Sequence, residues 1–565
     1  MNLILMHPAL LMVAGALLLP LLRGRWRDAA VVLLPLAALA VLWSLPEGKL
    51  WQAGWLHYVL TPLTVDKLSR LFATIFLVMA TTGGLFALRQ PNRMELPAAF
   101  LYAASAVGVV LSGDLISVFV WWEVMAIGST LVLWSAGTQN PAAWSASRRY
   151  LAMHLLGGML LFFGIAGHLL EGGNLSFSAM QLDSFAHWLL LAGFLINAGA
   201  PPFSAWLPDA YPEASWSGMV FLSAFTTKAA VYVLMRGFPG TDILIWIGLF
   251  MIFYGIVYAL LENDMRRILA YSIVNQVGFM ITGIGIGTEM ALNGAAAHAF
   301  THIIYKALLL MSAGAVLAAT GRRKCSELGG LFHSMPLTTI CGTIGALAIS
   351  SFPLTSGFVS KSMVTQAAVD LHLGTVWLLL AAASAGVFLH AGIKFPWFVF
   401  FQKDSGLRPP DPGPTLKAPM IFFAFLCIFL GVWPAPLYAL LPYPVDYAPY
   451  TAAHVITQSQ LLLFSGLAFF VMLGYLRRTP TITLDADWLW RKPLVWLWRA
   501  YAACIVRAKH QLRFMLAALG GWLATWLSRA HAPGGLFTSA VHTGTMALWV
   551  MLMMLLYLLF LYFGS

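Results

Sequence analysis

Charged residues are scarce in this chain of 565 residues: they make up 9% of it, whereas hydrophobic residues make up 60%. A soluble globular protein carries roughly 25% charged residues, so a soluble fold of this size could not cover its surface. This scarcity, with a mean hydropathy of +0.82, excludes a cytosolic enzyme and a disordered protein and predicts an integral membrane protein. The net charge of +11 then indicates Lys and Arg in cytoplasmic loops rather than a nucleic-acid-binding surface.

Cysteines are few as well, and the four of them lie far apart in the sequence, at Cys325, Cys341, Cys427 and Cys504. Because the sequence has no CxxC motif and no Cys/His cluster, it predicts neither an iron–sulfur site nor a disulfide framework. A phosphate-binding loop, a metal cluster and a flavin motif are also missing. We therefore expect no cofactor, and energy must come from an ion gradient or from a partner complex.

Long apolar runs are abundant. Runs of about 20 residues are long enough to cross a bilayer as a helix. They predict about sixteen spans, near 3–22, 28–45, 64–88, 96–113, 115–136, 149–170, 187–208, 216–236, 242–261, 268–287, 292–319, 336–368, 375–402, 418–440, 459–476 and 541–562. The predicted fold class is therefore an all-α polytopic membrane protein.

The loops predict an orientation, because basic residues follow the odd-numbered spans. These residues are Arg23, Arg25, Arg27, Arg89, Arg93, Arg148, Arg149, Arg266, Arg267, Arg322, Arg323, Lys324, Lys403, Arg408 and Lys417. Since Lys and Arg are enriched in cytoplasmic loops, we expect the odd loops to face the cytoplasm and both termini to lie outside. Loop 209–215 is the exception, because it is an odd loop that carries Asp209 and Glu213.

Segment 477–540 differs from the spans because tryptophans alternate with Lys and Arg over its length. Aromatic and basic residues mixed in this way are typical of a helix that lies in the membrane interface. An ordinary cytoplasmic tail is the alternative, but a tail does not need so many tryptophans. The sequence predicts an amphipathic interfacial segment here.

Several ionisable residues fall inside predicted spans, where each costs at least ~2.5–3.5 kcal/mol on insertion scales and marks a functional site. Glu123 and Lys228 are central in their spans. His298, His302 and Lys306 follow one another at intervals of four residues, so they share one face of a helix. Histidine titrates near neutrality, and this row is typical of a proton relay.

Other ionisable residues are less clearly functional. Lys361 lies in its span next to a proline-containing break. Lys394 and His168 are near span ends and can extend to the interface. For His154 a structural role and a relay role are both open, and the role of His390 is open as well.

Two spans are interrupted by proline, at Pro201-Pro202 and at Pro353. Proline removes a backbone donor and opens a helix, and breaks at corresponding places in two halves indicate an ion pathway built from inverted repeats. Because the breaks are five spans apart, they predict two five-helix units; two unrelated kinks are the alternative. The predicted division is 1–95, N-terminal helices; 96–237 and 242–403, first and second inverted repeats, each a half-channel; 418–476, peripheral helices; 477–540, interfacial segment; and 541–562, C-terminal helix.

Several motifs in these spans resemble a known family. They are PFSAWLPDAY at 202–211, Lys228 before Val231-Tyr232, RILAYS at 267–272, HAFTHIIYKALLL at 298–310 and GFVSK at 357–361. Together they resemble the antiporter-like subunits shared by Mrp-type Na+/H+ antiporters, respiratory complex I and membrane-bound hydrogenases. The resemblance covers the third to the thirteenth span and implies two inverted five-helix units, each with a broken helix.

The resemblance also implies roles for single residues. The family's fifth-helix glutamate falls on Glu123, and its eighth-helix lysine falls on Lys228. Its central relay falls on His298, His302 and Lys306, and its twelfth-helix lysine falls on Lys361. These six residues are the predicted proton-transfer site.

One departure from the family is important. The family usually has a lysine five residues before the proline of the Pro-Phe/Leu-x-x-Trp-Leu-Pro motif, and here that position is Asn197. Since asparagine does not carry a proton, we expect Glu123 to pair with Lys228 or to be protonated for much of the time. Two milder departures are the stretch 214–218, ASWSG, and Ser362, where an acid often follows the GFxSK lysine.

The resemblance implies an ion-transporting subunit, not an enzyme, most similar to the D-type subunit of Mrp antiporters and moving protons, with Na+ as a second candidate ion. It implies other membrane subunits as partners, the bilayer as surroundings, no nucleic acid, and the bacterial inner membrane as location. A proton-pumping subunit of a complex I-like, hydrogenase or inorganic-carbon-uptake complex is the alternative. A membrane scaffold with an inactive channel is a further alternative, against which the four ionisable groups of 298–361 argue.

Overall fold

The computed structural model describes residues 7–56, 58–475, 485–538 and 542–563. Parts of several predicted segments lie outside the described residues, namely 3–6 of the first span, 476 of the fifteenth span, 477–484 and 539–540 of the interfacial segment, and 541 of the last span. The chain divides into two units, Met1–Asp487 and Trp488–Ser565.

The first unit is built almost entirely from helices. In chain order they are α1 (Pro8–Leu18), α2 (Gly24–Ser44), α3 (Lys67–Phe86), α4 (Glu95–Leu111), α5 (Leu115–Ser135), α6 (Ala142–Leu170), α7 (Phe185–Ala198), α8 (Trp206–Ala210), α9 (Gly218–Leu222), α10 (Thr226–Gly237), α11 (Ile243–Leu261), α12 (Met265–Ile286), α13 (Glu289–Thr320), α14 (Pro336–Ile349), α15 (Ser356–Asp370), α16 (Gly374–Val387), α17 (Pro414–Val432), α18 (Ala435–Tyr438) and α19 (Ala452–Val471). Two π-helical segments, Phe388–Lys394 and Trp397–Phe401, continue α16. This order confirms a polytopic helical fold.

A β-hairpin between α2 and α3 is an element that the all-α prediction missed. Strands β1 (Gly48–Trp55) and β2 (Tyr58–Val65) pair antiparallel, with two irregularities in the register. The carboxylate of Asp114 accepts a hydrogen bond from the Thr61 amide at 2.7 Å and ties the hairpin to the start of α5. Each strand has 8 residues, which is far shorter than an apolar run that crosses a bilayer.

In the part of the chain that the structure describes, 12 helices are long and apolar enough to cross a membrane. Four more predicted spans correspond to shorter apolar helices, Pro8–Leu18, Glu95–Leu111, Phe185–Ala198 and Pro336–Ile349. The total of sixteen spans therefore stays a prediction. Two of the short helices are short because the spans at 187–208 and 336–368 are broken.

Both breaks lie where the prolines predict them. Helix α7 ends before Gly199, which has a φ of 79°, and the chain resumes a helix at Trp206. The indole of Trp206 donates to the carbonyl of Ile196 at 2.9 Å, so a side chain satisfies the backbone at the end of α7. At the second break, Lys361 donates to the carbonyl of Ile349 at 2.8 Å. Broken helices at membrane depth require such partners.

The most buried helices are α10, α12 and α13, which carry most of the predicted ionisable residues. Helix α12 packs against α11 and α13, and α13 also packs against α14, α15 and α17. This arrangement puts polar residues of α12, α13 and α15 next to one another.

The acidic loop 209–215 lies beside basic loops, which accounts for its exceptional charge. Arg149 forms a two-pronged ion pair with Asp209 at 2.7 and 2.9 Å. Arg323 pairs with Glu213 at 3.2 Å, and Arg266 donates to the carbonyls of Pro212, Ala214 and Ser215. The loop is therefore at the same end of the bundle as the other odd loops, and the orientation of that end toward the cytoplasm remains a prediction.

Two long helices form the second unit. Helix α20 (Asp487–Arg491) lies at the boundary, and α21 (Pro493–His531) and α22 (Thr543–Phe563) follow. Helix α21 has 39 residues, of which Ala530 is buried, and no residue of α22 is buried. The predicted aromatic and basic segment thus forms one continuous helix over 493–531, and its position in the membrane interface stays a prediction.

Candidate proton-transfer site

Three predicted relay residues are brought together on the buried face of α13. His298, His302 and Lys306 are fully buried. The ammonium of Lys306 donates to Ser272 Oγ on α12 at 2.8 Å. The rings of His298 and His302 lie 6.1 Å apart, and the ring of Tyr305 is 5.3 Å from that of His302. The helical spacing therefore places the three groups in one row, as the sequence predicts.

Two residues that the sequence analysis missed connect this row to its neighbours. Gln276 on α12 accepts from Tyr305 at 3.2 Å and lies 3.1 Å from His298 Nε2. Ser360 Oγ on α15 is 3.3 Å from His298 Nδ1. The signal was a cluster of Ser272, Asn275 and Gln276 inside an apolar run, because polar side chains within a span bond across helices.

His302 is different from its neighbours, because both of its ring nitrogens are buried and have no hydrogen-bond partner in the described structure. Buried polar atoms in native structures are nearly always paired, so an unpaired imidazole requires an explanation. A group that exchanges a proton with Lys306 on one side and His298 on the other has that property, since its partner changes during transfer.

Lys361 on α15 follows Ser360 directly and completes the second half of the predicted site. Its ammonium donates to the carbonyl of Ile349 and lies 4.8 Å from the centre of the Phe279 ring. A cavity of about 350 Å³ reaches this lysine. Polar residues in its lining include Ser362, Thr365, Gln366, His454 and Gln458. The cavity is large enough for several waters, so Lys361 is the member of the row with a route to the outside.

The first half of the site is less connected. Lys228 on α10 is fully buried and donates to the carbonyl of Ser223 at 2.5 Å and to Thr227 Oγ1 at 3.2 Å. Glu123 on α5 is half-buried, and its Oε1 is buried without a hydrogen-bond partner in the described structure. Among the described ion pairs none joins Glu123 to Lys228. The pairing that was expected as one option is therefore not formed, and the protonated Glu123 stays a prediction.

Asn197, which replaces the expected lysine, has a histidine as its partner. His154 Nδ1 on α6 lies 2.8 Å from Asn197 Oδ1. His154 is buried, with its ring 4.1 Å from Tyr150 and 4.7 Å from Trp206. The structure thus assembles a titratable group at the place where the resemblance leaves a gap.

The remaining ionisable residues have partners of their own. His168 lies 3.0 Å from His187 Nε2, and His187 pairs with Asp183 at 2.6 Å. Lys394 does not extend to the interface, because it is buried and donates to the carbonyls of Ala259, Leu260 and Glu262 at the end of α11. It closes a helix end. His390 Nδ1 is 2.8 Å from the carbonyl of Gly386, within the π-helical segment.

No cluster of three or more His, Cys, Asp or Glu side chains that could hold a metal ion occurs in the described residues. The candidate site consists instead of isolated bases and acids separated by hydroxyl and amide groups. Such a set can pass protons between neighbours, because hydroxyl and amide groups donate and accept hydrogen bonds at once.

A family model described as "NADH:quinone oxidoreductase/Mrp antiporter, TM" matches residues 112–388, just under half of the chain. This range contains the six predicted site residues together with His154 and Asn197.

Two relatives cover about two thirds of the chain. It is 30% identical over 405 residues to a probable K(+)/H(+) antiporter component of the A/B type from Rhizobium meliloti, covering 66% of this chain and 40% of that protein. It is 28% identical over 421 residues to the D-type subunit of the Na(+)/H(+) antiporter of Alkalihalophilus pseudofirmus, covering 69% of this chain and 83% of that protein. The chain therefore spans less than half of the first relative.

Two solved structures share the fold. One is the Mrp complex from Dietzia sp. DQ12-45-1b, with a TM-score of 0.77 and 23% identity over 92% of this chain and 62% of that one. The other is an archaeal membrane-bound sulfane sulfur reductase, with a TM-score of 0.71 and 22% identity over 98% of this chain and 99% of that one. Through residues 112–388, this multi-pass membrane protein belongs to the antiporter-like family of NADH:quinone oxidoreductase and Mrp antiporter subunits.

Proposed function

We propose that this chain is a proton-translocating, antiporter-like subunit of a multi-subunit membrane complex, of the D type found in Mrp antiporters. The observation that carries the proposal is the buried row of His298, His302, Lys306 and Lys361, joined by Gln276 and Ser360. Burying four ionisable groups in a membrane protein is costly, and a scaffold without transport gains nothing from them.

Protons move along this row by hopping between bases. Lys306 releases a proton to His302, whose nitrogens are free to accept it, and His298 and Ser360 pass it toward Lys361. The cavity at Lys361 connects the row to one side of the membrane. Lys228 and Glu123 supply the entry from the first half. No covalent intermediate forms, and the driving force comes from an ion gradient or from partner subunits.

The residue ranges 96–237 and 242–403 are proposed as two inverted half-channels, because each contains one broken helix, α7–α8 and α14–α15. We further propose the bacterial inner membrane as location, with the end that carries Arg149, Arg266 and Arg323 toward the cytoplasm. The names of the relatives make Na+ and K+ the candidate counter-ions.

A redox-driven complex is the second candidate assembly. It is favoured by the archaeal reductase chain, which matches 98% of this chain, including the part after residue 477. In that case the chain is still the ion-transporting subunit, and the redox chemistry belongs to other subunits. Transport that needs an added reductant, rather than a Na+ or K+ gradient, identifies this case.

The proposal is tested with the assembly that the full chain purifies with, reconstituted into liposomes that contain a pH-sensitive dye. We expect Lys306→Ala to lower proton flux by about 10²-fold, the range that a positioned proton carrier contributes. Lys403→Ala is the matched control, because Lys403 is an exposed loop lysine. Flux that is unchanged in Lys306→Ala would contradict the proposed function.

A further inference from the structure

The place of the missing lysine is occupied by a hydrogen-bonded pair from two helices. Asn197 comes from the last turn of α7, and His154 comes from α6. His154 Nδ1 lies 2.8 Å from Asn197 Oδ1, and both side chains are 1% exposed. A buried histidine on an apolar face often has a structural role, so its second nitrogen decides the question.

The Asn197 contact fixes the proton positions on the imidazole. The amide oxygen of Asn197 accepts hydrogen bonds and does not donate them, so Nδ1 of His154 carries a hydrogen. In the neutral ring Nε2 is then the basic nitrogen. Nε2 is buried and has no hydrogen-bond partner among the described residues. The pair therefore presents one base, with its lone pair unoccupied, inside the first half of the site.

Glu123 lies one helical turn away from this base. Gly158 follows His154 by four residues on α6, so the two positions are stacked on one face. A Cβ atom at Gly158 would overlap Glu123 Oε1, which shows that the carboxyl group rests on the bare backbone there. Glu123 Oε1 is the second polar atom of this region that is buried without a partner in the described structure. An unpaired acid and an unpaired base thus lie along one helix.

On its other side His154 leads toward Lys228. The Tyr150 ring lies 4.1 Å from the imidazole, and the Tyr150 hydroxyl is 3.5 Å from Thr226 Oγ1. Thr226 precedes Lys228 by two residues in the first turn of α10. The groups that face His154 are therefore Asn197, Tyr150 and Trp206, with Glu123 and Lys228 beyond them in opposite directions.

We propose that His154 is a proton carrier of this protein and takes the place of the missing lysine between Glu123 and Lys228. This role rests on the proposed function. Nε2 accepts a proton from the carboxyl group of Glu123, which becomes a carboxylate, and the ring becomes an imidazolium. Nε2 then gives the proton to the amine of Lys228, and the neutral ring returns with its hydrogen still on Nδ1. No other bond is formed or broken.

The test compares His154→Gln with His154→Gln/Asn197→Lys in the same liposome assay. A glutamine amide can still donate to Asn197 Oδ1, but it does not bind a proton. We expect His154→Gln to lower flux by about 10²-fold, and we expect the double variant to recover most of it, because the lysine supplies a proton carrier at the adjacent position. His154→Asn is a second substitution with the same expected loss. His168→Gln, on the same helix, is the control and keeps wild-type flux.

The outcomes are separable. Loss in His154→Gln with recovery in the double variant supports the role of His154, since a merely structural histidine would not be replaced by a lysine on another helix. Wild-type flux in His154→Gln, together with no flux in Lys306→Ala, overturns the role of His154 and leaves the proposed function standing. Loss without recovery, in variants that assemble and unfold at the wild-type temperature, also overturns it. Absence of flux in the wild-type assembly, under either driving force, overturns both.

Discussion

The two halves of the candidate site hold similar groups in very different surroundings. In the second half, His298 contacts Gln276 and Ser360, Lys306 contacts Ser272, and an open cavity reaches the end of the row. In the first half, Glu123 Oε1 and His154 Nε2 have no hydrogen-bond partners in the described structure.

This difference teaches how each half tolerates change. A row with hydroxyl and amide neighbours offers alternative hydrogen-bond partners when one group is lost, and unpaired groups offer none. The first half is therefore expected to depend on small displacements of single side chains. The second half is expected to fail when one of its bases is removed outright.

The largest expected effect is in the second half and separates its two buried lysines at the bundle edge. Lys361→Ala removes the base that the cavity reaches, and we expect proton flux to fall by about 10²-fold or more. Lys394→Ala removes donors from three backbone carbonyls at the end of α11. Because each buried carbonyl left unpaired costs about 1–3 kcal/mol, we expect a lower unfolding temperature with flux retained per folded molecule.

The two measurements are flux in liposomes and thermal unfolding of the purified assembly, applied to both variants. Flux that falls equally in Lys361→Ala and Lys394→Ala would remove the distinction between a transferring lysine and a helix-closing one. It would also extend the second half of the site toward the π-helical segment.

An intermediate effect is expected in the first half from adding a single methyl group. In Gly158→Ala the new Cβ overlaps Glu123 Oε1, and since this atom is the free end of a side chain, the carboxyl group swings away and the fold survives. We expect flux to fall by about tenfold, which corresponds to roughly 1.4 kcal/mol on the barrier. The measurement is the same liposome assay, with assembly yield as a check.

Gly157→Ala is the matched control on the neighbouring position. Its Cβ would lie 3.3 Å from Asn197 Oδ1 and does not meet Glu123. We expect it to keep most of the flux. Equal losses in both variants would mean that α6 packing, rather than the position of Glu123, limits transport in the first half.

The same contrast explains what the sequence could and could not reveal. The row of His298, His302 and Lys306 was predictable, because a helix puts residues four apart on one face whatever surrounds them. Both helix breaks were predictable from proline chemistry. The fold and the family followed from these patterns and from the quoted motifs, and the comparisons confirm them.

The pairing of His154 with Asn197 could not be predicted, because the two residues are 43 positions apart and on different helices. The contact depends on how α6 packs against α7, which no local pattern encodes. The same holds for Gln276 and Ser360, whose partners come from other helices. The β-hairpin was missed because the search for apolar runs does not detect short paired strands.

The smallest expected effect concerns the ion pair that links the two halves at one end of the bundle. Glu213 belongs to the loop between α8 and α9, and Arg323 follows α13. Burial by itself would raise the pKa of Glu213, but the charge of Arg323 and the hydrogen bond from Asn140 outweigh it and hold the pKa below the ordinary value of 4.5. Such a carboxylate stabilises the folded state at pH values above its unfolded pKa, and this contribution is lost as the pH falls through the lowered folded pKa.

We therefore expect Glu213→Gln to be less stable than the wild type at pH 7, by at most about 1 kcal/mol because Arg323 is partly solvated. The difference should shrink as the pH falls below 4.5 and the wild-type carboxylate becomes protonated. Thermal unfolding between pH 7 and pH 3 measures it, with Glu327→Gln, from an exposed ion pair with Arg322, as the control. A stability difference that stays constant over this range would show that packing, and not the charge of Glu213, holds the loop of the first half against the second. Loss of flux in Glu213→Gln at pH 7 would show in addition that the two halves are coupled through this loop as well as through the buried row.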